Sequence, residues 1–159
     1  MVTTVRGQFK DFEGTFEVDG DDYKSLKADV VIKTASVSTN TDQRDEHLRS
    51  ADFFDAAKYP EMHFVSTGVQ KNGEDDFTLT GDLTIKDVTR PVVLNATLEG
   101  SFNDPYGNER IGVTLRGELD REDWGLTYNQ VLEAGAVMVS KKIKLEIEAA
   151  VLRPLAVTA

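Results

Sequence analysis

Strict alternation of apolar and polar residues most narrows what this chain can fold into. Near the C-terminus Ile143, Leu145 and Ile147 stand against Lys142, Lys144, Glu146 and Glu148. A period of two places one set on each face of a β-strand, with the apolar set turned inward. Phe77, Leu79, Leu83 and Ile85 alternate in the same way with Thr78, Thr80, Asp82 and Thr84. Val92, Leu94, Ala96 and Leu98 alternate with Val93, Asn95, Thr97 and Glu99. Ile111, Val113, Leu115 and Leu119 oppose Thr114, Arg116, Glu118 and Asp120, and Ala28, Val30 and Ile32 oppose Asp29 and Lys33. Shorter strands are predicted at Val5 to Phe9, Gly14 to Val18 and Met62 to Ser66. Gly, Asn, Asp and Pro cluster at Asp19–Asp22, Lys71–Glu74 and Asn103–Asn108, where tight reversals need them. Such strands predict an all-β antiparallel barrel or sandwich, and periodicity alone does not separate the two.

With one parity kept along each strand, the inward set is Val30, Ile32, Phe64, Leu79, Leu83, Leu94, Leu98, Val113, Leu115, Ile143 and Leu145. Ala28, Ala96, Gly81, Gly100 and Gly117 fall on the same faces, and small inward residues are expected to leave room inside. The 159 residues fit one domain, expected over 1–152, with a frayed tail over 153–159 where periodicity is lost.

The formal charge of −10 disfavours nucleic acid and anionic surfaces as partners. No cysteine is present, which excludes disulfides, thiolate metal sites and a cysteine nucleophile. Apolar runs fall far short of the roughly 20 residues of a spanning helix, so no integral membrane segment is expected. His47 and His63 are the two histidines, and without cysteine they need carboxylates to hold zinc. Asp45, Glu46 and Asp52 lie near His47, but such groups are usually surface, and no metal or cofactor is expected. No glycine-x-serine-x-glycine elbow occurs, so no catalytic residue is assigned.

Alternation breaks at TDQRDEHLRSADFFDAAKYPEM, Thr41 to Met62, which crowds charges and aromatics into a short helical insert closed by Pro60. Asn40 with Gln43 is expected to cap its start, and Ser50 a second turn. Two further segments stand out. GDLTIKDVTRPVVL, Gly81 to Leu94, joins two strands, with Pro91 expected to open the second. LDREDWGL, Leu119 to Leu126, carries the one tryptophan, with Arg121 expected in an ion-pair network with Asp120 and Asp123. Together the three segments resemble the YceI-like family, over a stretch from about Val5 to Glu148. The resemblance implies a lipocalin-like barrel with a short helical insert, holding a long-chain polyisoprenoid or quinone-like lipid in an apolar cavity.

On that resemblance the insert lids one end of the barrel. Phe53, Phe54 and Tyr59 then line the mouth, and Arg44 and Arg49 face a polar headgroup. The plainer reading has the aromatics plug the barrel end and Arg44 pair with an acidic neighbour. Trp124 either contacts lipid or is core. The lipid-binding role is storage, shielding or transport, with no enzymatic activity. The alternative is an enzyme or stress-response factor acting on another small apolar molecule in the same cavity. Family members begin with one strand more, carrying an aspartate-proline and a histidine-serine pair, so the first strand is expected to be absent here. An exposed edge at Val5 to Phe9 and a homodimer are expected from that. Met1 to Arg6 shows no leader, so the chain as written reads as cytoplasmic, and as periplasmic or secreted if a leader went with the strand.

Overall fold

The computed structural model describes residues 6–19, 22–128 and 140–154. Among these residues nine strands and one α-helix follow in order: β1 (Gln8–Phe9), β2 (Phe12–Asp19), β3 (Asp22–Lys33), β4 (Val37–Ser38), α1 (Asp42–Arg49), β5 (Glu61–Lys71), β6 (Asp76–Ile85), β7 (Val88–Asn103), β8 (Asn108–Asp120) and β9 (Lys142–Pro154). Seven of them form one antiparallel sheet in the order β2-β3-β5-β6-β7-β8-β9, while β1 pairs with β4 beside it. The sheet curls into a half-barrel. Extra residues at Ser66/Gly68 in β5 and at Leu98/Gly100 in β7 bulge the strands, and bulges bend a sheet.

Parity holds where the alternation is strongest. Leu79, Leu83 and Ile85 of β6, Val92 and Leu94 of β7 and Leu115 of β8 are buried together with Ala28 and Phe64. Val30, Ile32, Val113 and Leu145 pack against that core half-buried. Gly81 and Gly117 do not leave the room expected of them. A Cβ on Gly81 would lie 2.4 Å from the Phe64 ring, and one on Gly117 would lie 2.5 Å from Leu94. Each glycine is the floor on which a neighbouring side chain rests. Ala28 donates its N–H to Ser66 Oγ at 2.8 Å, which satisfies an inward hydroxyl in an apolar setting.

Several local expectations are corrected. Asn40 does not cap α1; it sits in the left-handed region at φ 63°, and Thr41 is the N-cap residue. An asparagine tolerates that conformation better than most residues. Pro91 lies inside β7, opposite Asp82. Pairing of β7 with β8 begins only at Asn95–Arg116, so the missing N–H interrupts no ladder on that side. Thr114 is buried although its parity is outward. Its cross-strand partners are Thr97 and Glu148, and the longer Glu99, Arg116 and Glu148 line the cleft around it. The outer strands of the sheet are β2 and β9, not the segment ending at Phe9, which is tied to β4. β9 runs on through Arg153 and Pro154, paired with Glu109 and Asn108, so the frayed tail does not begin at 153. Residues 155–159, Val5 and the Gly20–Asp21 tip lie outside the described residues.

The β7–β8 reversal is organised by Asp104. Its carboxylate accepts from the backbone N–H groups of Asn108 and Tyr106 at 2.9 Å each, and from Arg110 Nε at 3.0 Å. The Asn108 N–H foremost, with Tyr106 and Arg110, holds its pKa below the ordinary aspartate value against the opposing effect of burial. A depressed folded pKa contributes stability above the unfolded value, about 4, that is lost as pH falls through the folded value. Asp104→Asn should therefore flatten the fall of melting temperature below about pH 4. An unchanged acid slope in that variant would remove Asp104 from the account.

Candidate functional site

The concave face is the candidate site, and its two ends differ. Strands β3, β5, β6, β7, β8 and β9 each bring one terminus to the same end of the sheet, at Lys33, Glu61, Ile85, Val88, Asp120 and Lys142. At this end Phe53 is buried and Phe54 half-buried. Phe54 meets Phe9 edge-on, with ring centroids 5.4 Å apart. Phe53, His47 and Tyr128 form a triangle of edge contacts with centroids 4.9 to 5.2 Å apart. Trp124 is 2% exposed, and its indole N–H donates to the carbonyl of Leu83 at 2.9 Å. A bulky apolar side chain whose one polar atom is satisfied makes a stable plug. Tyr59 stands apart from this core, with the Lys58 ammonium 5.3 Å from its ring centroid.

Both arginines of the insert are engaged with the strap beneath it. Arg44 donates from Nε to Thr39 Oγ1 at 2.8 Å and from Nη2 to Thr39 O and Thr41 Oγ1. Arg49 donates to the carbonyls of Ala35 and Val37 at 2.9 and 3.2 Å. Asp45, buried, accepts from the Thr39 N–H at 2.7 Å and from its hydroxyl at 2.6 Å. Thr34, also buried, donates to the Tyr59 carbonyl at 2.8 Å. Sequence reasoning took Asp45 for a surface carboxylate, which its burial corrects, and missed Thr39 and Thr34, because scattered threonines carry no periodic signal. It also missed Leu126 and Tyr128 in the plug. Arg121 is buried and reaches main-chain carbonyls of Ser140 and Leu126, clasping the start of β9 to the loop after Trp124. Asp120, expected in an ion-pair network with it, instead accepts from the Glu122 N–H.

At the opposite end the β5–β6 and β7–β8 turns and the last residues of β9 surround an open rim. Tyr23 and Phe77 meet there with centroids 5.9 Å apart. Leu98 keeps the concave face, opposite Val113, falls next to the Gly100 bulge and lines a cleft with Asp75, Glu99, Ser101, Glu109, Ile111 and Arg153. Ile143, half-buried opposite Leu119, stands outside the central cluster. Among the described residues no three His, Asp or Glu side chains gather as metal ligands. His47 lies 2.7 Å from Asp52, and His63 lies 2.6 Å from Asp29.

A curled antiparallel sheet with an apolar concave face and aromatic residues closing one end defines a half-barrel of lipocalin-like architecture. The chain belongs to the YceI-like family, whose domain model matches residues 1–151. Protein YceI of Escherichia coli is 48% identical over 120 residues, covering 76% of this chain and 62% of that protein. A UPF0312 protein of Pseudomonas syringae is 45% identical over 122 residues, covering 77% and 64%. The chain thus spans less than two thirds of the length of these curated relatives. The crystal structure of a Campylobacter jejuni YCEI protein superposes with a TM-score of 0.84 at 34% identity, covering 96% of this chain and 87% of that one. Burkholderia cenocepacia BcnA, 20% identical with a TM-score of 0.77, shares the fold.

Proposed function

We propose that this protein holds a long-chain amphiphile of polyisoprenoid or quinone type along its concave face, for storage, shielding or carriage. The observation that carries this reading is the lining itself. Between Arg90, opposite Leu83 at the plugged end, and Ser101, opposite Ile111 at the open end, the concave positions of β6 to β9 are aliphatic, aromatic, alanine or glycine, with no carboxylate or imidazole among them. The central strands bury Leu79, Leu83, Val92, Leu94 and Leu115, while Val30, Ile32, Leu145 and Ile147 on β3 and β9 remain half-exposed. Apolar surface left uncovered on the inner wall of a barrel is what a hydrocarbon chain would cover. Each buried CH₂ contributes about 0.8 kcal/mol, so one five-carbon isoprene unit contributes about 4 kcal/mol before association and ordering costs. Several units suffice without any ionic contact.

Organic extraction of the purified protein followed by mass spectrometry tests the reading, and an isoprenoid lipid is the expected product. Leu145→Glu and Val30→Glu, at the half-exposed margins, should cut bound lipid at least about tenfold because a charge would face the chain unpaired. Circular dichroism on both variants checks that the sheet persists. Wild-type protein that yields no lipid and takes up no added isoprenoid would refute the proposal.

A further inference from the structure

The two ends of the concave face differ in charge, and that difference bears on which headgroup a ligand presents. β8 and β9 pair without a bulge from Asp120–Lys142 to Asn108–Pro154. The inward parity of Leu115 therefore carries through Val113 and Ile111 to Glu109, and that of Leu145 through Ile147 and Val151 to Arg153. Ser101 stands opposite Ile111 on the same face. The apolar wall thus ends in a polar cleft of about 440 Å³ at the open end. Gly100, at φ 124°, has nothing within 4 Å of where a Cβ would stand, so the bulge leaves free space.

The cleft sets the carboxylates of Asp75 and Glu109 against the one guanidinium of Arg153, which is already bound to Glu109. Of the other cations near this end, Lys71 lies over the Tyr23 ring and Arg110 pairs with Asp104. A phosphate brought here would meet like charge, whereas a hydroxyl, phenol or carbonyl would meet Ser101 and acceptor oxygens. At the plugged end the guanidinium groups of Arg44 and Arg49 are held by the strap.

Resting on the lipid-binding reading, we infer that the ligand's polar end lies in the cleft formed by Ser101, Glu109 and Arg153, and that this cleft accepts an uncharged hydrogen-bonding headgroup and rejects a phosphorylated one.

Equilibrium dialysis with geranylgeraniol and geranylgeranyl diphosphate, which share one tail, is the test. The alcohol should bind at least about tenfold more tightly, a difference of about 1.4 kcal/mol, and added salt should narrow the gap by screening the carboxylates. Glu109→Gln and Ser101→Arg should each favour the diphosphate selectively, while Arg49→Gln should leave the ratio unchanged. Diphosphate binding as tight as alcohol binding in the wild type would overturn the inference and leave lipid binding standing. A ratio that follows Arg49 instead of Glu109 and Ser101 would overturn the location. Failure of both probes to bind would refute the lipid-binding reading and this inference with it.

Discussion

Trp124→Ala should cost about 3–5 kcal/mol of stability, measured by urea denaturation, the range for removing a large buried aromatic. The indole is fully enclosed, and its N–H is the partner of the Leu83 carbonyl, 41 residues away in sequence. Alanine leaves a cavity at the plugged end and removes the donor from that carbonyl. Trp124→Phe separates the two contributions: it keeps most of the volume and should lose about 1–3 kcal/mol for the unsatisfied carbonyl. A loss below about 1 kcal/mol for the alanine variant would mean that the end of the barrel is closed without its wedge.

Gly81→Val should destabilise by about 3 kcal/mol, the upper part of the range for overpacking. The Phe64 ring lies 2.4 Å from the Cβ position, and the flexible ring alone does not decide the matter, because the carbonyl oxygen of Val65 lies 2.6 Å away. Backbone must move as well as side chain. The ring would be driven off β6 into the concave space, so bound lipid should fall together with melting temperature. A variant with wild-type melting temperature would show that β5 and β6 can part there at little cost.

Much of the fold was legible because the alternation is a local property. Ile143, Leu145 and Ile147 share a face whatever strand lies beside them, and so do Leu79, Leu83 and Ile85. What escaped depends on partners. Leu98 has the parity of Leu94, but the bulge at Gly100 ends the regular wall at that point. Gly81 and Gly117 read as empty space because the side chains that fill them belong to other strands. Whether Arg44 and Arg49 face a headgroup or are engaged within the protein stayed open, because carbonyl acceptors leave no trace in a sequence. The candidate site was thus readable as an apolar face but not as a face with two unlike ends. The distinction depends on where β8 and β9 come into register with Ser101.

The strand order has a consequence for how the molecule assembles itself. Except for the step from β3 to β5, every neighbouring pair in the large sheet is also consecutive along the chain. Closing each hairpin joins residues that are already near one another, so pairing can begin at the β6–β7 turn and spread outward in both directions. At the plugged end, too, contacts span great lengths of chain: Trp124 to Leu83, Arg90 to Asp123, and Phe9 to Phe54. These must wait until both of their strands exist. Most hairpins of the wall are local, whereas the contacts that seal one end depend on strands already being in place. A sheet paired before its plug is seated would leave its concave face open at both ends until that step.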